Sequence, residues 1–385
     1  MKRLILGDTH ACIEGYDSTE PFLYLVEGLL FTGDVGGYGP DERDSYLRIM
    51  EWQKEFTTSD KETGGVKGNH EKLIENMLES GSGLERGDYS IKEQSGVTGA
   101  GSGRGVELAA EQLCGKDIWD FNSDGKQVLN PRKILVPEWK DQIKKGNKDK
   151  IIVPNYLNNL KERIENVLTG KIKKVASGWG ERRLRSVIRA TLGNLDPYQL
   201  LIDQKKCVET LPSILEFIVN LPETKTLRYK QKLPNGTFKD ATALLMHTFE
   251  KKYVLGSAQL NYMNLVRKTA EQESIDKSAY FTPEEVFASN LEFDTLFLGH
   301  VHSSYTYYNQ DRSRKIVMVN SFFPRDGMGI RNPLLFFDDA TGEITRNNVP
   351  YNFRRTMKKL KEVNPDYMRQ LEYYIKVTRK NAKRI

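Results

Sequence analysis

Five times along this chain a short apolar run stops and a side chain able to bind metal follows: "RLILGDTH", "EGLLFTGDVGG", "GGVKGNHE", "ATALLMHTF" and "FDTLFLGHVH". Apolar runs of about four to seven residues, bounded by such breakers, read as buried strands. Between them lie helical patterns, "DSYLRIMEWQKEF", "HEKLIENMLES", "YQLLIDQKKCVETLPSILEFI" and "SAQLNYMNLVRKTAEQE". Alternation of this kind predicts an α/β core. In open α/β sheets the working residues lie just beyond the carboxyl ends of the strands, and all five motifs lie there. Two later stretches, "SSYTYYNQDRSRKIVMVNSFF" and "NPLLFFDDATGEITRNNVPY", read as hairpins, as does "LRYKQKLPNGTFKDATALLM" with Asn235-Gly236 at its turn. The predicted sheet is therefore mixed rather than purely parallel.

With 385 residues the chain is long enough for a large core, and its 38% hydrophobic and 29% charged residues are ordinary for a soluble globular protein. No apolar run approaches the ~20 residues that span a bilayer, so no membrane partner is expected. The start, Met-Lys-Arg-Leu-Ile-Leu-Gly-Asp, reads as a first strand rather than a signal peptide, because its apolar run ends at Asp8. Cys12, Cys114 and Cys207 show no paired spacing, which suits a reducing compartment and predicts a cytoplasmic protein.

The rhythm of strands and helices breaks between residues 81 and 190, which reads as an inserted accessory region of mostly helical structure. "VPNYLNNLKERIENVL" puts Leu157, Leu160, Ile164 and Leu168 on one face, and "ERRLRSVIRATL" does the same with Leu184, Val187, Ile188 and Leu192. The glycines of "GAGSGRG" fit no phosphate-loop template and read as a flexible linker. The expected organisation is a core of residues 1–80 and 191–353, the insertion, and a basic helical tail over 354–385. Net charge is +6, with 21 Lys/Arg against 14 Asp/Glu over residues 85–190 and 11 against 3 over 351–385. These basic stretches suit a phosphate-bearing polymer, and equally suit solvated faces.

The histidines carry the chemistry. There are five, His10, His70, His247, His300 and His302, and every one falls in a strand-end motif. Taken singly, each reads as a structural histidine. Taken together with Asp8, Asp34 and Asn69, they read as a metal site. Imidazole and carboxylate ligands without thiolate suit borderline divalent ions such as Mn²⁺, Fe²⁺ or Zn²⁺. His300 and His302, two apart on an extended segment, point the same way.

Asp-x-His, Gly-Asp, Gly-Asn-His-Glu, a lone His and Gly-His-x-His, in that order, resemble the calcineurin-like metallophosphoesterase superfamily. "GDVGGYGPD", "VNSFFPRDG" and "LLFFDDATGEITRNNVPY" are similar to its small prokaryotic phosphodiesterases, over about residues 1–80 and 195–353. Where those have an Asn-Pro-Gly-Ser turn, this chain has Asn320-Ser321-Phe322-Phe323. The resemblance implies a two-layer sandwich of mixed β-sheets flanked by helices, with two divalent metal ions at one edge, Mn expected and Fe, Zn, Ni or Co as options. It implies that Asp8, His10, Asp34 and His302 hold one ion, and that Asp34, Asn69, His247 and His300 hold the other. Asp34 would bridge the ions, and His70 would face the leaving group. No acidic partner for His70 stands out, with Asp41 the candidate. The expected function is hydrolysis of a phosphomonoester or phosphodiester by a hydroxide shared between the ions.

Two other readings stay open. One is a non-catalytic binding protein on the same fold, although no ligand of the set is missing. The other is a nuclease of the same superfamily that binds nucleic acid through the basic insertion and tail. Trp119, Trp139 and Trp179 would then serve as stacking surfaces or, as tryptophans more often do, as packing within a subdomain.

Overall fold

A computed structural model describes residues 1–58, 62–80, 100–115, 118–124, 126–168, 197–233, 235–269, 274–302, 304–322, 331–363, 368 and 372. The chain divides into two compact units, Met1–Lys72 with Leu221–Ile385, and Leu73–Asn220.

The strands, in chain order, are β1 (Lys2–Leu6), β2 (Gly28–Phe31), β3 (Glu62–Gly65), β4 (Trp119–Phe121), β5 (Gln127–Leu129), β6 (Thr224–Lys232) and β7 (Phe238–Met246). They continue as β8 (Tyr253–Val254), β9 (Tyr280–Phe281), β10 (Thr295–Leu298), β11 (Thr306–Tyr308), β12 (Lys315–Met318), β13 (Arg331–Asp338) and β14 (Glu343–Pro350). The first unit holds two five-stranded sheets, ordered β14-β13-β1-β2-β3 and β11-β12-β10-β7-β6. Within the first, β1, β2 and β3 run parallel while β13 joins β1 antiparallel, with Leu4 between Leu29 and Phe336. In the second, β7, β10 and β12 run parallel and hairpins add β6 and β11. The expected mixed sandwich and all three expected hairpins are present.

Alternation along the strands builds the core. Ile5, Leu30, Leu335 and Phe337 of the first sheet join Leu227, Ala241, Ala243, Leu245, Phe297 and Val317 of the second in one buried cluster. Their neighbours in sequence face outward: Leu244, Leu296, Leu298, Ile316 and Met318 pack in another cluster with Val286, Leu260 and Met263. Val286 belongs to helix Pro283–Phe287, opened by a Thr282/Glu285 capping box, and Leu260 and Met263 belong to helix Ser257–Thr269. Both faces of the sheets are thus apolar, which is why the strands read as continuous hydrophobic runs. Helices Ile13–Thr19 and Glu42–Thr58 contact the first sheet. Their Tyr16 and Trp52 rings lie 5.3 Å apart, and Phe322 closes on Tyr16 at 5.5 Å. Phe322 is itself buried.

The second unit is mostly helical among the described residues. Helix Pro197–Asn220 buries Leu211, Ile214, Leu215 and Ile218 at helical spacing and contacts helices Ala100–Cys114, Trp139–Lys144 and Tyr156–Leu168. In the last of these Leu160 and Ile164 are buried as their periodicity predicts, while "ERRLRSVIRATL" lies outside the described residues. Of the run "GAGSGRG", Gly99 lies outside the described residues, while Ala100–Gly105 form the opening turns of helix Ala100–Cys114, which corrects the expected flexible linker. The apolar stripe that follows, with Leu108, Ala109 and Leu113 buried, accounts for it, because packing outweighs the ~1 kcal/mol cost of each helical glycine. Trp119 and Trp139 are buried, so they pack a subdomain and offer no stacking surface; Trp179 lies outside the described residues. No helix among the described residues is long and apolar enough to cross a membrane.

Candidate metal centre

Three of the five strand-end motifs, those after β1, β2 and β10, turn through left-handed backbone. His10 (φ 46°), Asp34 (φ 49°), His300 (φ 67°) and His302 (φ 56°) all adopt the left-handed backbone region. For residues with a Cβ this conformation is costly, so four such residues among seven candidate ligands mark a place where surrounding contacts over-determine the chain. Close approach of backbone to ligand is enforced too. A Cβ at Gly299 would fall 2.4 Å from Asp8 Oδ1, and one at Gly68 would fall 2.1 Å from Asp34 Oδ1.

The result is one buried cluster in the first unit. Asp8, His10 and His302 bring ligand atoms together, and so do Asp34, His247 and His300. A third combination, His10, Asp34 and His70, overlaps both. Asp34 therefore lies within reach of both sets of histidines. Its Oδ1 accepts the backbone N–H of His70 at 2.9 Å, at the electropositive start of helix Asn69–Ser80, and its Oδ2 is 3.2 Å from His247 Nε2. Asn69 joins the second set: its Oδ1 lies 2.7 Å from His247 Nε2 and 2.9 Å from His300 Nδ1. All eight residues singled out by sequence are brought together.

Tautomers follow from the backbone. His247 Nδ1 donates to the Thr32 carbonyl at 2.8 Å, which leaves Nε2 with a lone pair. That lone pair faces two further acceptors, Asn69 Oδ1 and Asp34 Oδ2. His10 Nδ1 likewise donates to the Gly36 carbonyl at 3.1 Å, aiming Nε2 at His302 Nε2, 2.8 Å away. His302 Nε2 is itself 3.0 Å from Asp8 Oδ2. Asp8 Oδ1 is buried with no hydrogen-bond partner. Convergent lone pairs and a buried carboxylate oxygen demand a cation among them, either a proton or a metal ion.

The titration behaviour states the same demand. Burial disfavours the His247 imidazolium, yet Asp34 and then Asp8 outweigh it and push the pKa up to about 9. Burial also works against the Asp34 carboxylate, but His247 and His70 hold it well below the usual range. Burial, then His302, holds His10 well below the usual imidazole range. The donor set of imidazoles, carboxylates and one amide oxygen fits a borderline divalent metal.

Glu71 is a residue that sequence reasoning passed over, although it ends the quoted Gly-Asn-His-Glu. Fully buried, it accepts from the backbone of Asp34, Gly68, Val35 and Gly36 at 2.9–3.3 Å and from the Tyr46 hydroxyl at 2.8 Å. A carboxylate three residues after Gly68, at a helix start, was the available signal. Tyr253, stacked on His300 with centroids 4.7 Å apart, and Tyr38, edge-on to His10 and His70, had no such signal. Asp41 does not approach His70 as its partner; its Oδ1 accepts from Lys359 at 2.8 Å.

No protein-family model and no curated protein matches the sequence. Among solved structures, the chain is similar to a hypothetical protein from Pyrococcus horikoshii OT3, with 10% identity and a TM-score of 0.44 over 98% of this chain and 97% of that one. It is also similar to a metallophosphoesterase from Sphaerobacter thermophilus, with 12% identity and a TM-score of 0.42 over 98% of this chain and all of that one.

Proposed function

We propose that this chain is a metal-dependent phosphoesterase of the calcineurin-like superfamily, with two divalent ions, Mn²⁺ foremost, in the cluster just described. The observation that carries the reading is the convergence of ligand atoms from five strand ends: Asp8, His10 and His302 form one group and Asp34, His247 and His300 another, with Asp34 Oδ2 4.0 Å from His10 Nε2 and Asn69 Oδ1 beside His247. Asp8, His10, His302 and Asp34 would hold one ion, and Asp34, Asn69, His247 and His300 the other. When bound, such ions supply an activated water and neutralise charge on phosphoryl oxygens.

The chain's own residues do the rest. The carbonyls of Thr32 and Gly36 hold His247 and His10 with their ligand nitrogens inward. Asn69 adds an oxygen without adding negative charge that would repel a phosphate ester. His70, edge-on to His10 and Tyr38, is positioned by its own N–H on Asp34 and is assigned the proton for the leaving-group oxygen.

The test is hydrolysis of an aryl phosphodiester and an aryl phosphomonoester by purified protein. We expect turnover with added Mn²⁺, its loss on chelation, and Asp34→Asn among the most damaging substitutions because it weakens both sites. Activity that survives exhaustive chelation would overturn the reading.

A further inference from the structure

Helix Phe353–Val363 carries one lysine that touches two of the loops bearing the candidate ligands. Lys359 Nζ lies 2.7 Å from Glu14 Oε1 and donates to Asp41 Oδ1 at 2.8 Å. Glu14 follows the β1 exit loop that carries His10, and Asp41 ends the β2 exit loop that carries Asp34. The loops are themselves laced together: His10 N–H donates to Asp34 O, Ala11 N–H to Val35 O, and Asp41 N–H to Ala11 O. Thr356, fully buried, adds a donation to Glu14 Oε2 at 2.7 Å, and Leu360 seats the helix from the apolar side. A third loop is gripped just before the helix, where the Tyr351 hydroxyl donates to Phe322 O while Phe322 N–H and Ser321 Oγ reach Asp8 O.

We propose that the segment Tyr351–Val363 is a clamp on the metal centre, with Lys359 as a positioning residue. It neutralises Glu14, which is 3% exposed, and Asp41 at once, fixing the spacing of the loops that present His10 and Asp34. His10 and Asp34 are held in left-handed backbone, so loops freed of the clamp relax toward ordinary conformations and carry His10 out of register. Asp34 has a second anchor in Glu71, so the effect falls mainly on the ion assigned to Asp8, His10 and His302. This inference rests on the proposed dinuclear site.

The experiment measures Mn²⁺ binding to full-length protein by the electron paramagnetic resonance signal of free Mn²⁺, below the melting temperature of each variant. Asp41→Asn cuts one arm of the clamp. The triple variant Lys359→Met, Glu14→Gln and Asp41→Asn removes the cation together with both carboxylates it pairs, so that none of the three leaves a buried partner charge behind. Each variant should lose on the order of ten- to a hundredfold in affinity for one ion and keep the other near wild type. Wild-type affinity for both ions in folded variants overturns the clamp, as does equal weakening of both, which a merely structural role would give. A wild-type protein that takes up fewer than two ions overturns the proposed function as well.

Discussion

His70 and His247 stand side by side in the sequence pattern and apart in the site. His247 Nε2 faces Asp34 and Asn69, whereas His70 is oriented by Tyr38 and His10 rings and by its own backbone N–H. If His70 supplies a proton, His70→Asn should slow turnover roughly 10²–10⁴-fold and leave Mn²⁺ binding unchanged. The loss should shrink for a nitrophenolate leaving group, which departs without a proton. His247→Ala should instead weaken binding of one ion, with turnover partly recovered in excess Mn²⁺. Parallel calorimetric titrations and kinetics separate these outcomes, and equal loss of metal in both variants would refute the division of roles. Six of the eight residues of the cluster were legible in sequence because they follow strands that an apolar run announces; Asn69 and His70 follow β3, Glu-Thr-Gly-Gly, and were legible only through Gly-Asn-His-Glu. The carbonyls of Thr32 and Gly36 were not, since every residue has a carbonyl and only the fold decides where it points. Lys359 was hidden for a related reason: a lysine in a basic tail looks like a solvated charge until a buried glutamate meets it.

At the level of elements, precision comes from short strands that stop abruptly. β10 is four residues long, and Gly299 lets the chain turn so that His300 N–H donates to Asp8 Oδ2 at 2.8 Å. A methyl group at Gly299 would fall 2.4 Å from Asp8 Oδ1 and 2.8 Å from Thr32 Oγ1, and neither can retreat within a buried cluster. Gly299→Ala should therefore displace the β10 exit and lower Mn²⁺ affinity by at least about tenfold, the scale seen when groups that orient metal ligands are disturbed. Circular dichroism should still report a folded chain, and binding at wild-type strength would show that the exit yields more easily than its packing implies. Most of the strands were readable because a short apolar run between breakers is a local signal. The glycine-rich start of helix Ala100–Cys114 was not, because glycine's local preference is overridden only by the packing of the apolar stripe beyond it.

For the whole molecule, the cation demand of the site becomes a dependence of stability on pH. In metal-free protein His247 titrates near about 9, above its ordinary value of 6.5. Between those values the folded state binds more protons than the unfolded state, so stability falls as pH rises. The contribution is complete below about pH 6.5 and gone above about pH 9, on a scale of roughly 3 kcal/mol from the size of the shift. Bound metal replaces that proton, so saturated protein should lack the decline. Thermal melts in chelator and in Mn²⁺ across this range test it, and a flat chelated profile would mean that the His247–Asp34 pairing does not form. The first sheet carries another consequence, which concerns manufacture rather than equilibrium. β1 is separated from β13 by most of the described chain, yet it pairs on one side with β2 and on the other with β13, matching Lys2 to Asp338. Until β13 has been synthesised, one hydrogen-bonding edge of an apolar strand must wait for its partner. The nascent protein thus carries an open apolar edge until the β13–β14 hairpin arrives, and its yield in a cell depends on what shields that edge in the interval.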